Sequence, residues 1–211
     1  APRDLPSFPT RCASGLFSLS PGGAPGPDGF GAGFYQTGWQ IVGEELVEAV
    51  QEFFQGVQQP RGFSSTATVL VPKVQGASQW KDFRPISLCN VTSKVISKVL
   101  ANRLEKLLPR LILPWQTGFV PGRGITENIL LAQELAFDLD KKLRHPNLML
   151  KLYMEKAFDR VEWSFLIYIL RQFGFQEHSV DLMFRTISNN WFSVLINGSL
   201  GKNFRATRGV R

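Results

Sequence analysis

The sequence predicts an α+β fold, on three observations. Apolar residues recur at three- and four-residue steps over about 40–55 and 92–108. Extended, β-prone runs bounded by turn formers stand at 66–71 and 191–196. These helices and strands follow one another without the regular βαβ alternation of a parallel sheet. At 211 residues and 44% hydrophobic content the chain can bury a core, as one large domain or two small ones.

Residues 1–33 are dense in Pro, Gly and Ser, and Pro25-Gly26-Pro27-Asp28-Gly29 is a run of turn formers, so a loop or poorly ordered arm is expected there. Gly29, Gly31 and Gly33 follow no strand and lack dinucleotide-binding spacing. Val42, Leu46, Val50, Phe53 and Phe54 form the apolar stripe of the first helix; Glu44, Glu45, Glu48 and Glu52 fill its polar face, and Gly56 suits its end. Thr66–Val71 reads as a strand ending at Pro72-Lys73. Asp82–Leu88 reads as a second extended piece, because the residue before Pro85 disfavours helix. Thr92 is placed as the cap of a helix to about Leu108 that buries Ile96, Leu100, Leu104 and Leu107. Thr126 is placed as the cap of the next helix, to about Leu143, broken by His145-Pro146-Asn147. Leu148–Met154 reads as a buried strand. Asp159 with Glu162 three residues on reads as a capping box opening a helix through Phe173 that stops at Gly174. A further helix is expected near 178–189, and Asn197-Gly198 is the preferred two-residue turn of a closing hairpin.

The formal charge of +7 is unevenly spread: residues 1–60 hold 2 Lys/Arg against 6 Asp/Glu, and residues 61–211 hold 22 against 11. A net of +11 over the later part suits a polyanionic partner or a solvated basic surface. Lys94 and Lys98 begin a four-residue stripe with Asn102 and Lys106 that is a plain solvated face unless a nucleic-acid groove adjoins it. Cys12 and Cys89 form no disulfide framework, and with His145 and His178 they offer no zinc spacing. Apolar runs fall short of the roughly 20 residues that span a bilayer. No signal-peptide pattern opens the chain. The expectation is an intracellular setting, nucleus or cytoplasm, with no membrane and no disulfide partner.

Seven segments in order carry a family resemblance: Ala24–Phe30, Val69–Lys73, Asp82–Asn90, Ala101–Leu104, Gln116–Arg123, Ala157–Val161 and Arg208–Arg211. Together they resemble the reverse transcriptase domain of plant LINE-type (non-LTR) retrotransposons over about residues 15–211. The resemblance implies a right-hand polymerase fold, with residues 1–23 an extension, 24–145 the fingers and 146–211 the first part of the palm. RNA template and RNA–DNA hybrid are the implied partners, and Mg²⁺ is the family's cofactor.

Phosphoryl transfer loads negative charge onto the reacting oxygens, which a polymerase meets with cations and two divalent metals about 3.5–4 Å apart. The resemblance gives Lys73 and Arg84 the triphosphate; independently, both stand at the edges of extended segments joined by a short loop, a natural phosphate pincer. Phe158 matches the aromatic beneath the sugar, though an aromatic after a buried strand is ordinarily core. Gln116 and Arg123 match a segment near the template, where guanidinium suits phosphate.

Two departures oppose activity. Tyr153 stands where the family has its metal-binding Asp, and a phenol, with a reference pKa of about 10, offers one neutral oxygen where a hard cation takes carboxylate. Neither Glu155, past the expected strand end, nor Asp159, read as a helix cap, replaces it. The chain ends at Arg211, before the family's Asp-Asp hairpin, and Asp-Asp occurs nowhere in it. The expectation is a polymerase fragment without activity; the competing readings are a non-catalytic RNA or hybrid binding module and the unselected product of a decayed element.

Overall fold

The computed structural model describes residues 7–137, 139, 141 and 148–210. In chain order its elements are α1 (Phe8–Phe17), α2 (Ala32–Thr37), α3 (Trp39–Phe54), β1 (Ser65–Pro72), β2 (Phe83–Cys89), α4 (Val91–Glu105), α5 (Leu108–Leu111), α6 (Ile125–Phe137), α7 (Ala157–Arg160), α8 (Trp163–Gln172), α9 (Glu177–Ser188), β3 (Trp191–Ile196), β4 (Ser199–Leu200) and β5 (Phe204–Arg205). They divide into two compact units: residues up to Leu100 together with Phe158 onward, and Ala101–Ala157.

The first unit is built on a helical core. Cys12 and Leu16 of α1, Leu46, Val50 and Phe53 of α3, and Val91, Val95 and Val99 of α4 pack together with Leu182 of α9. The loop expected over residues 1–33 is therefore corrected at 8–17. Ser7 caps α1 by accepting the Thr10 N–H at 3.4 Å, and Pro9 occupies the first turn, where no amide donor is needed. The Glu44, Glu45, Glu48 and Glu52 face of α3 is exposed as expected. Gly56 ends α3 at φ +96: its N–H bonds Phe53 O and the Val57 N–H bonds Glu52 O, a double closure of the last turn. Gly174 ends α8 the same way at φ +80, with Phe175 N–H on Leu170 O.

The five-stranded sheet has the order β2-β1-β3-β4, with β5 also against β3. β1 pairs antiparallel with β2 (Thr66↔Cys89 to Pro72↔Phe83) and parallel with β3 (Ser65↔Trp191 to Val69↔Leu195). Asn197 and Gly198, at φ +49 and +79, make the expected hairpin turn into β4. β2 carries Pro85, which has no N–H to offer, on the strand that pairs only with β1 among the described residues.

Asn90, the single residue between β2 and α4, is 3% exposed. Its carbonyl accepts the Lys94 N–H as the cap of α4. Its amide group donates to Gly62 O at 2.6 Å and accepts the Asp28 N–H at 3.4 Å. Ser93 adds a bond to Phe63 O, and Lys94 Nζ reaches Ala24 O at 3.1 Å. The expected cap Thr92 instead lies buried inside the first turn of α4, because Asn90 already fills the capping position. Leu107 lies beyond the end of α4 and is exposed.

In the second unit, Arg123 organises the loop between α5 and α6. Its Nη1 donates to Leu113 O and Gln116 O at 2.6 and 2.8 Å, and its Nη2 to Pro109 O and Ile112 O at 3.3 and 3.0 Å. Asn128 adds a bond to Trp115 O. α6 starts at Ile125, so Thr126 sits within its first turn and is not the cap. The helix's expected continuation past 137 and the break at 145–147 lie outside the described residues.

Leu148–Met154 is not a strand. Leu148, Leu150, Leu152 and Tyr153 are 73–88% exposed, and no strand of the described residues pairs with the segment. Apolar composition measures a preference for burial; a strand also needs an edge to bond to. Asp159 likewise does not open the long helix. It sits in the one-turn α7, and Glu162 precedes α8 without a side-chain cap bond. The register is set by the chain's last residues: Trp163 Nε1 donates to Gly209 O at 2.7 Å, and the Gly209 N–H to Val161 O at 2.8 Å.

Asn90→Ala leaves the Gly62 carbonyl and Asp28 amide without their partner and is expected to lower unfolding free energy by about 2–3 kcal/mol in urea titration. Gly26→Ala is expected to do comparable damage, since a Cβ there would lie 2.5 Å from Asn90 N. Arg123→Lys replaces a fork spanning four carbonyls by one ammonium. Amide exchange over residues 109–124, followed by mass spectrometry, should accelerate about tenfold or more while residues 91–99 stay unchanged.

Candidate functional site

The β1/β2 hairpin positions the two cations that the sequence singles out. Arg84 stands opposite Val71, and the Lys73 N–H donates to Asp82 O at 2.7 Å, which carries the register one step past β1. Lys73 and Arg84 thus share one face as diagonal neighbours, a relation that places such residues about 7–8 Å apart. Both are exposed. Lys73 Nζ also donates to Lys81 O at 2.6 Å, which steadies the ammonium at the strand end. Neither cation is ion-paired among the described residues. Val71 and Ile86, 43% and 44% exposed, complete an open face that is half apolar and half cationic.

Phe158 is 54% exposed at the start of α7, and its carbonyl accepts the Val210 N–H at 2.9 Å. Gly209, at φ +88, passes 3.1 Å from Asp159 O and 3.2 Å from Phe158 O, measured from where a Cβ would stand. Arg208 reaches Glu162 at 3.9 Å. Two segments read separately in the sequence, 157–161 and 208–210, are therefore one assembly held by backbone bonds. Gly209, read in the sequence only as a member of the Arg208–Arg211 segment, and Trp163, which the sequence reading did not single out, hold it. The signal was available in Gly209, since only glycine allows this conformation and this approach together.

The remaining candidates are placed separately. Lys94 is half-buried and bonds Ala24 O, and Lys98 is exposed on the next turn of α4. Gln116 is exposed, and its carbonyl is one of the four that Arg123 binds. Arg123 therefore spends its terminal nitrogens on the loop's own carbonyls.

Tyr153 is 85% exposed in an irregular segment, with Glu155 exposed two residues on. Among the described residues no group of three or more His, Cys, Asp or Glu is placed to hold a metal ion. A phenol and one solvated carboxylate do not fit a divalent cation that takes six or more oxygens, largely from carboxylates and water.

On the opposite face of the sheet lies a cavity of about 310 Å³, lined by Thr66, Ser87, Cys89 and Phe192 from the strands and by Asn189 and Asn190 after α9. Gln59 Oε1 and Ser64 Oγ are buried there without a hydrogen-bond partner among the described residues. Burial pushes the Cys89 thiol above its ordinary range, opposed by the nearby Lys94 charge, so it is a neutral wall group at physiological pH. Among the described residues no helix is long and apolar enough to cross a membrane.

Residues 71–211 match the family described as reverse transcriptase (RNA-dependent DNA polymerase). The chain is 31% identical over 188 residues to the "Transposon TX1 uncharacterized 149 kDa protein" of Xenopus laevis, covering 89% of this chain and 14% of that protein. It is 27% identical over 188 residues to the "Retrovirus-related Pol polyprotein from type-1 retrotransposable element R2" of Nasonia vitripennis, covering 89% and 18%. It is 29% identical over 161 residues to the type-2 element R2DM polyprotein of Drosophila melanogaster, covering 72% and 14%. The chain thus spans less than a fifth of the length of these relatives. With two thirds of its residues in the family match, the chain belongs to the reverse transcriptase family and carries a reverse transcriptase domain of non-LTR retrotransposon type.

Proposed function

We propose that this chain grips RNA or an RNA–DNA hybrid and does not itself carry out nucleotidyl transfer. The observation that carries the reading is the juxtaposition of Lys73 and Arg84 on the open face of the β1/β2 hairpin. Two unpaired cations there attract phosphate, and an incoming triphosphate or a template backbone supplies it. In the right-hand polymerase plan, residues 24–145 serve as fingers and 146–211 as the first part of the palm, in a LINE-type element of plant kind.

The catalytic half of the family's work fails at Tyr153. Mg²⁺, where bound, would supply charge neutralisation for the attacking and departing oxygens. Tyr153 supplies no carboxylate, and Glu155 is solvated beside it. The same replacement favours a second reading, that the chain descends from a decayed element and its binding surface is a remnant.

Filter binding of a labelled single-stranded RNA should show log affinity falling linearly with log salt. A slope of about −2 to −3.5 is expected for three to five phosphate contacts. Lys73→Gln with Arg84→Gln should flatten it by about 1.4. Binding indifferent to salt, or absent at low salt, contradicts the reading. In primer extension on an RNA template with Mg²⁺ or Mn²⁺, the chain, and any longer product carrying Tyr153, should run at least about a thousandfold below the Tyr153→Asp form of that longer product. Extension at full rate with Tyr153 in place would show that another group holds the metal.

A further inference from the structure

Trp191 opens β3, level with Ser65 on one side and opposite Arg205 of β5 on the other. Two guanidiniums gather on its indole: Arg61, from the loop before β1, stands 4.4 Å from the ring centroid, and Arg205 stands 5.2 Å from it. Both arginines are exposed, and among the described residues neither has a carboxylate partner. Arg205 gives one terminal nitrogen to Ser188 O at 3.0 Å. Like charges on one ring lie within about one Debye length, roughly 10 Å at 0.1 M salt, so they repel unless an anion joins them.

The strand register then places this cluster. Ser65, Ala67, Val69 and Val71 alternate along one face of β1, and Trp191 and Leu195 stand level with Ser65 and Val69 on that same face. Val71 is opposite Arg84, so the face that carries Trp191 and Arg205 at one end carries Arg84 and Lys73 at the other. Eight positions separate Ser65 from Lys73, about 26 Å at the usual strand rise of roughly 3.3 Å. A stacked strand advancing about 3.4 Å per nucleotide covers that length with about eight nucleotides.

We propose that Arg61, Trp191 and Arg205 form a second contact for single-stranded nucleic acid, in line with Lys73 and Arg84 on the same sheet face. The inference rests on the RNA-gripping reading above and adds three residues that lie outside the family motifs. The chemistry favours a nucleic acid over an acidic peptide: a guanidinium is a planar group that stacks on a base and donates N–H bonds to a phosphate, and the indole beside it offers a second stacking surface.

The test uses the whole chain and a single-stranded RNA carrying 4-thiouridine, with polyglutamate of matched charge as the second probe. Arg61→Gln with Arg205→Gln should flatten the salt slope by about 1.4, a loss of roughly fiftyfold at 50 mM salt that vanishes towards 1 M. Arg61→Lys with Arg205→Lys should keep the slope and lose affinity at all salt concentrations, because ammonium does not stack. In the unmodified chain, irradiation should crosslink the RNA to the peptide containing Trp191 or Arg205, a readout that does not depend on any variant folding. If the unmodified chain binds no RNA, both this inference and the proposed function fall. If it binds, but the Gln pair keeps its slope and no crosslink maps to Trp191 or Arg205, this inference alone falls. Polyglutamate bound as tightly, with the same loss in the Gln pair, would overturn the nucleic-acid assignment in favour of an acidic peptide.

Discussion

The first unit depends on one buried amide. Asn90 has a residue's length in which to turn the chain from a sheet strand into a core helix, and its side chain ties that corner to two distant segments. The Gly62 carbonyl it holds lies just ahead of β1, and the Asp28 amide belongs to the Pro-Gly turn near the start of the chain. Asn90 itself is 3% exposed, so its amide would cost about 1–3 kcal/mol if left unpaired. The bond to Gly62 anchors the entry to β1, and β1 carries both sheet interfaces, with β2 on one side and β3 on the other. Tyr35 reinforces the corner. Burial and the Asp28 charge hold its hydroxyl above the ordinary phenol range, and the neighbouring Thr92 side chain, in the first turn of α4, opposes that rise.

What the sequence revealed and what it hid divide along a physical line. Signals that act within a few residues were legible: the stripe of α3, the glycine closures after α3 and α8, the Asn197-Gly198 turn, and the paired strands either side of Lys73. α1 was hidden because Pro, Gly and Ser dominate its surroundings, although Ser7, Pro9, Cys12 and Leu16 supply a cap, a legal proline and a helical stripe. Leu148–Met154 misled in the other direction, since its apolar side chains say only that the run prefers burial. Asp159 and Glu162 have capping-box spacing, yet the bonds from Trp163 and Gly209 dictate where α8 starts. Those bonds join residues nearly fifty positions apart, beyond the reach of any local pattern.

The same line runs through the candidate site. Lys73 and Arg84 were legible as a pair because a hairpin brings near neighbours together. Arg123 carries the right charge for phosphate, but charge does not say which acceptor wins, and four carbonyls of its own loop lie closer. Trp191, Arg61 and Arg205 were invisible as a cluster, since they meet only after β3 has crossed to the edge of β1 and β5 has returned.

The proposed grip and the family's chemistry rest on different kinds of interaction. Attraction to a polyanion is a sum over many cations, each screened and each replaceable; the 22 Lys and Arg against 11 acids beyond residue 60 can lose one member at the cost of a single increment of salt slope. Metal-assisted transfer is not a sum. It needs carboxylates at fixed points around two ions, and exchanging one for a phenol removes charge, a ligand oxygen and geometry in a single step.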